Sequence, residues 1–297
     1  LGTAAEGMPM LISRAEQERI AAFIDRLREL PTEKARSGAA LHELYWIHTR
    51  KKRDGKRYSP DVNRKVIIAY RDAIRAAFGE DAPVLKTMHY SKARTDDYNA
   101  RLVAFRTRKH HNLRPVNASE YITAGEEFIA KVVNESWSNA KAIAAVCGLT
   151  GRRPFEIACT GHFAPDPARP HYILFSGQAK TRDADRAQMT YSFPVLGARD
   201  HILTAVAKLR ENFDPNMSNS EFSQGWAGDI NKYARQVFHD AHGEEIKPRD
   251  LREAYVAIAV QLFAPSDVSD IQFMNTILGH KPGSLDTTTY YIGFTVV

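Results

Sequence analysis

Apolar residues recur at three- and four-residue steps near the start of the chain. Ile20, Phe23, Ile24 and Leu27 share one helical face. Ser13 and Glu16 have the spacing of a capping box and Pro31 ends the run, so the pattern predicts a helix from Ser13 to Leu30. A second helix is expected from about Glu43, with Leu44 and Trp46 as its apolar bulk. A third takes Ser59 as N-cap and Pro60 in its first turn, carries Val66, Tyr70, Ala73 and Ile74 on one side, and stops at Gly79. The segment YSKARTDDYNAR, residues 90–101, reads as a loop running into a further helix from about Asp97, with Leu102 and Phe105. The pattern breaks at HHNLRPVN, residues 110–117, where Pro115 and Asn117 mark a linker and Asn117 with Glu120 caps the next helix. Two domains follow from this: a helical one over residues 8–112 and a second over 117–297.

The second domain reads as helical at both ends with strands inside. Helices are expected at 119–134, 138–148 and 153–160, and again at 199–212, 223–242, 249–263 and 267–278. Tyr172 to Ser176 has strand character, and Gly177 to Lys180 and Met189 to Val195 read as two further strands around the polar turn KTRDADRAQ. Residues 211–223 read as a flexible loop. The fold class is mainly α with a small antiparallel β-sheet.

Composition removes several classes. Of 297 residues, 43% are hydrophobic and 10% aromatic, enough to build cores and too many for a disordered chain. No apolar run approaches the ~20 residues that span a bilayer. The opening LGTAAEG does not read as a signal peptide. Cys147 and Cys159 lie in apolar surroundings without CxxC spacing, so they read as buried thiols rather than a disulfide or zinc site. The expectation is a soluble protein of a reducing, cytoplasmic compartment with no membrane partner.

Charge adds a partner. The net charge is +6, but residues 1–116 hold 24 Lys/Arg against 14 Asp/Glu, and residues 117–297 hold 17 against 21. A basic first part on a near-balanced second part is expected to grip a polyanion. The candidate DNA contacts are Arg50, Lys51, Lys52, Arg53, Lys56 and Arg57 in TRKKRDGKR, Tyr90, Lys92 and Arg94 in the 90–101 segment, and Arg106, Arg108 and Lys109 beyond it. Tyr90 or Tyr98 is a candidate to stack on a base, although a plain interdomain loop is the simpler reading of that segment.

Five short pieces of the second domain carry candidate chemistry. TGRRPFEI places Arg153 at a helix start with Glu156 three residues on. QAKTRDADR puts Lys180 at a strand end before a turn. KPRDLREAY sets Arg249 and Arg252 on one face of a helix, with Asp250 beside them. ILGHKPG leaves His280 at the edge of an apolar helix, and DTTTYYIGF offers Tyr290 and Tyr291 on a short helix. Taken singly, these read as an ion pair, a turn lysine, a charged first turn, a capping histidine and packing aromatics. Their order is the informative part. TGRRPFE, AKT, RDLR, LGH and TTTYY, in that sequence, resemble the tyrosine recombinase patterns TGxRxxE, hairpin lysine, HxLR, LGH and TTxxY. The resemblance covers about residues 150–294, and the TTxxY register selects Tyr291. Arg249 stands where the superfamily usually has histidine, and in this the chain resembles the telomere resolvases, or protelomerases.

That resemblance implies a helical DNA-clamping domain followed by a tyrosine recombinase-type catalytic domain. It implies transesterification at a DNA phosphate, with Tyr291 as nucleophile forming a 3′-phosphotyrosine. Arg153 and Arg252 would hold the non-bridging oxygens, Arg249 and His280 complete the cage, and Lys180 protonate the departing 5′ oxygen. The phosphotyrosine conserves bond energy, so the reaction asks for no metal, ATP or other cofactor. The implied partners are a palindromic telomere junction in double-stranded DNA, its hairpin product, and a second copy of the chain on that DNA. An integrase performing strand exchange, a type IB topoisomerase and a non-enzymatic DNA-binding protein of the same fold remain open alternatives. DNA integration and recombination would follow from the first.

Overall fold

Glu16 donates its amide to the Ser13 hydroxyl, and the Ser13 amide returns to the Glu16 carboxylate at 2.9 Å. This capping box opens α1 (Arg14–Glu29) in the computed structural model, which describes residues 12–179, 189–280 and 288–297. α2 (Glu33–Thr49) begins at Glu33 rather than near Glu43. Thr32 caps it by accepting the Ala35 amide at 3.2 Å, and its early inner face is Ala39 and Ala40, too small to register as an apolar stripe. α3 (Pro60–Phe78) runs from the Ser59 cap to Gly79 as the pattern predicts, and a 3₁₀ turn covers Pro83–Lys86. α4 (Lys92–His111) takes in most of the 90–101 segment expected to be a loop. It buries no residue completely, so no hydrophobic periodicity was there to announce it.

The chain divides into two compact units, residues 1–105 and 106–297, the division falling inside α4. The first unit's core is built from Ile20, Phe23, Leu27, Ile47, Val66, Ile67, Tyr70 and Ile74. It also encloses Glu43, which accepts from Arg19 at 2.5 Å and from the Tyr70 hydroxyl at 2.6 Å. A buried carboxylate needs such partners to offset its desolvation.

The second unit opens with β1 (Arg114–Val116), in the stretch expected to be a linker. Then come α5 (Ala118–Asn134), α6 (Asn139–Thr150), a π-helical turn over Glu156–Thr160, β2 (His162–Pro165), β3 (Tyr172–Ser176) and β4 (Tyr191–Pro194). After the strands follow α7 (Arg199–Asn212), α8 (Asn219–Val237), α9 (Pro248–Phe263), α10 (Asp270–Ile277) and β5 (Phe294–Val296). The antiparallel sheet has the order β2-β3-β4. Its outer strand is therefore His162–Pro165, and residues 177–179, expected to be a strand, are not one. β1 and β5 form a separate parallel pair, which short polar-flanked segments far apart in sequence gave no reason to expect. α6 lies at the centre, every residue from Ala142 to Thr150 buried, with α5, α7, α8 and α9 against it. Its alanines let those neighbours approach closely.

The fold is mainly helical with a small antiparallel sheet. Cys147 and Cys159 are buried free thiols, and burial pushes Cys147 up. Among the described residues, no helix is long and apolar enough to cross a membrane.

Candidate active site

α6 ends at Gly151 in the left-handed region, φ 62°, where a side chain would run into the Tyr255 ring. The chain turns there and delivers two arginines in different directions. Arg152 goes inward and is 2% exposed. Its guanidinium donates to the Ile277 carbonyl at 2.8 Å and to the Tyr191 hydroxyl, and lies 4.6 Å from the centre of the Phe193 ring. Arg153 goes toward a cleft and donates to Glu156 at 2.5 Å and to the Ala179 carbonyl at 3.1 Å. Arg153 stands at the start of the helical stretch 154–160, as the sequence suggested, although from Glu156 that stretch is π-helical.

Glu156 organises this corner. It is fully buried, and it accepts the Arg153 amide at 2.9 Å and the Ala179 amide at 3.1 Å. Burial alone would raise its pKa, but the charges of Arg252, Arg153 and Arg152 outweigh that and lower it. Burial pulls Arg153 down, yet the Glu156 carboxylate and the Tyr291 hydroxyl raise it overall.

Arg252, one turn into α9, is 6% exposed. It donates to the Gly151 carbonyl at 2.7 Å and the Leu278 carbonyl at 3.1 Å, which ties α9 to the end of α6 and to the turn after α10. Its Nε is buried without a hydrogen-bond partner among the described residues. Burial, with Arg152 and Arg153 nearby, pushes Arg252 down to about 10, so it is still a cation at neutral pH. Arg249, one turn earlier, stands exposed and donates to Asp250 at 3.0 Å.

The two tyrosines part company. Tyr290 faces solvent and its hydroxyl meets Arg106. Tyr291 turns inward, its ring 5.2 Å from the Arg252 guanidinium and 5.4 Å from the His280 ring, centre to centre. Arg153, Arg249, Arg252 and Tyr291 thus line one cleft of about 360 Å³, walled by Phe155, Phe222 and Ile230. His280 lies behind Tyr291, 8% exposed, its Nδ1 2.9 Å from the Thr288 hydroxyl, which in turn donates to Asn275 at 3.0 Å. Thr288 thus links the His280 ring to Asn275 and holds it behind Tyr291. Lys180 lies outside the described residues.

Three guanidiniums facing one buried carboxylate leave an excess of positive charge around a phenol. Such a cleft favours a phosphate, and more so as its oxygens gain charge. Sequence reasoning did not pick out Arg152, Tyr191, Asn275 or Thr288. Thr288 carried a signal as the second threonine of TTxxY, and Arg152 as the twin of Arg153 in TGRRPFE, but nothing local says which of the two arginines turns inward.

The candidate DNA contacts separate into two kinds. Lys51, Lys52, Arg53, Lys56 and Arg57 are exposed on a tight hairpin closed by the Lys52 amide on the Lys56 carbonyl at 2.7 Å. Lys92, Arg94 and Arg108 are exposed as well. Arg50 departs from expectation. Its side chain is 7% exposed, paired with Glu16 at 2.5 Å and set over the Tyr58 ring at 4.2 Å, so it holds the first unit together. Tyr90 is part-buried against His48, at 5.8 Å between rings, and Tyr98 is held by the Asp61 carboxylate at 3.3 Å and by Arg64 over its ring. Neither is the bare stacking platform the sequence suggested. Arg106 and Lys109 also have protein partners, Tyr290 and Glu253.

Residues 112–294 match the family of the telomere resolvase ResT/TelK catalytic domain. A curated relative, telomere resolvase ResT of Borreliella burgdorferi, is 24% identical over 185 residues, which cover 62% of this chain and 40% of that protein. The chain therefore spans well under half of that relative. Among solved structures, an arginine-to-alanine mutant of protelomerase TelA complexed with DNA hairpin product is similar, with TM-score 0.81, 26% identity, 96% of this chain and 89% of that one. So is protelomerase TelA covalently complexed with substrate DNA, at TM-score 0.81 and 27% identity over the same shares. Protelomerase TelK complexed with substrate DNA shares the fold at TM-score 0.61 and 19% identity, over 95% of this chain and 58% of that one.

Proposed function

The chain belongs to the telomere resolvase family, and we propose that it cuts a palindromic telomere junction in DNA and reseals each end as a covalently closed hairpin. The observation that carries this reading is the meeting of Tyr291 with Arg153, Arg249 and Arg252 in one cleft.

The Tyr291 oxygen attacks the scissile phosphorus. His280, whose ring Thr288 holds beside Tyr291, helps to take its proton. Arg153 and Arg252 bind the non-bridging oxygens, and their hold strengthens as charge builds toward the transition state. Arg249, at the exposed mouth, adds a third cation. The bond from phosphorus to the 5′ oxygen breaks, and Lys180 supplies the proton that oxygen needs. The product is a 3′-phosphotyrosine and a free 5′-hydroxyl. In the second half the 5′ end of the opposite strand, folded back, attacks the phosphotyrosine and returns the phenol. Two copies of the chain acting on opposite strands of the palindrome give two hairpins. Folding a strand back requires sharp DNA distortion, and the exposed cations of the first unit are suited to holding it.

The test uses a library of palindromic duplexes with randomised half-sites. Products that snap back to full length after denaturation are hairpins and support the reading. Joined recombinants between two duplexes would sink it in favour of strand exchange, and relaxation of supercoils without site preference would favour a topoisomerase. Covalent protein–DNA adduct that persists in Tyr291→Phe would remove Tyr291 as nucleophile.

A further inference from the structure

The last turns of α4 carry Arg106, Lys109 and His110, spaced so that all three fall on one helical face. Their charge marks Arg106 and Lys109 as DNA contacts, but all three have partners in the protein, in the segment that bears the tyrosines. His110 Nε2 is 3.0 Å from the Thr289 carbonyl, and Lys109 Nζ donates to the Tyr290 carbonyl at 3.0 Å. Arg106 bonds the Tyr290 hydroxyl and covers its ring at 3.9 Å. These groups hold the two residues that immediately precede Tyr291. The Thr289 carbonyl also accepts the Ile292 amide at 3.2 Å, so this stretch of backbone is held from both sides.

Lys109 makes a second connection. Its ammonium pairs at 2.5 Å with Glu253, the residue after Arg252 on α9. One cation therefore touches both the backbone ahead of Tyr291 and the helix that supplies Arg252. The chain closes over this pair at Gly293, where any Cβ would strike the Glu253 carboxylate and come within 2.7 Å of Lys109 Cε.

We propose that Arg106, Lys109 and His110 are positioning residues for the nucleophile: they set Tyr291 against Arg252 by holding the Thr289–Tyr290 backbone, with Lys109 as the central tie. This rests on Tyr291 being the nucleophile. A near-attack geometry explains why such a tie matters, because a misplacement of ~1 Å costs on the order of a hundredfold in rate.

The experiment follows covalent adduct formation on a nicked suicide duplex carrying a palindrome selected in the hairpin assay. Single-turnover rate at saturating protein and Kd for the same duplex are measured together. Lys109→Met is expected to lower the rate about tenfold or more with Kd within about twofold. Lys109→Arg, which keeps the cation, restores most of the rate, and His110→Ala gives a smaller loss of the same kind. If Lys109→Met unfolds because Glu253 is left stranded, Lys109→Met with Glu253→Gln removes that charge and carries the same expectation. A full rate at saturation, with only Kd weakened, would make these residues phosphate contacts and overturn the proposal, as would a loss that arginine at 109 does not reverse. Adduct persisting in Tyr291→Phe would instead remove the nucleophile assignment itself.

Discussion

Replacing Glu156 with glutamine tests the electrostatic design of the cleft. The carboxylate is fully buried and holds the Arg153 guanidinium, the Arg153 amide and the Ala179 amide. Glutamine keeps the shape but removes the only buried negative charge facing Arg152, Arg153 and Arg252 among the described residues. Breaking a buried ion pair from one side typically costs ~3–5 kcal/mol. In a domain of ~150–250 residues, each kcal/mol lowers Tm by about 2–4 °C, so Glu156→Gln is expected to melt about 6–20 °C below the parent. The pH dependence gives a second reading. The folded-state pKa of Glu156 lies below its unfolded value, so its contribution is complete above about pH 4.3 and is lost as pH falls through the folded value. The parent should therefore lose stability on the acid side more steeply than the variant. Added sulfate should raise Tm more in the variant, where an anion replaces the missing charge. Calorimetry from pH 3 to pH 8, with and without sulfate, measures all three. A Glu156→Gln protein within about 1 kcal/mol of the parent, with the same acid limb, would refute the view that this carboxylate balances the arginine cluster.

Two further outcomes separate structure from chemistry. Arg50→Ala should lower the melting temperature and leave the salt dependence of DNA binding unchanged, because Arg50 pairs with Glu16 inside the first unit, whereas Lys52→Ala should reduce the slope of log K against log salt by about one and leave Tm unchanged. Binding isotherms at several salt concentrations beside a thermal melt distinguish the two. Thr288→Val removes the hydroxyl between His280 and Asn275, and should slow single-turnover cleavage about tenfold or more while Kd stays near the parent's. An unchanged rate would remove His280 orientation from the mechanism.

The residues proposed to act on the phosphate were legible because chemistry restricts their identity and the chain keeps their order. Arg153, Arg249, Arg252, His280 and Tyr291 could be named before any fold was known, and four of them line one cleft with the His280 ring tilted behind Tyr291. Helices with a strong apolar face and a side-chain cap, such as α1 and α3, were equally readable. What escaped was whatever depends on a distant partner. Arg152 and Arg153 are adjacent and identical in type, and only the aromatic box of Phe175, Tyr191 and Phe193 draws one of them inward. α4 lacks an apolar stripe, so its first turns read as a loop. The basic residues at its end read as DNA contacts because sequence shows charge but not what the charge faces. β2 and β1 are too short to alternate visibly, and their pairing partners set them.

The parallel pairing of β1 with β5 has a consequence for ownership of the nucleophile. Arg114 donates its amide to the Gly293 carbonyl at 3.0 Å, and Val297 donates to Val116 at 3.1 Å, so the chain just past Tyr291 is stitched to the start of its own catalytic unit. The tyrosine arrives at its arginines already tethered on both sides, and its local concentration there is that of an intramolecular group. Lending it to a neighbouring subunit would require unpairing that strand. In the proposed reaction each copy of the chain would therefore use its own tyrosine with its own arginines.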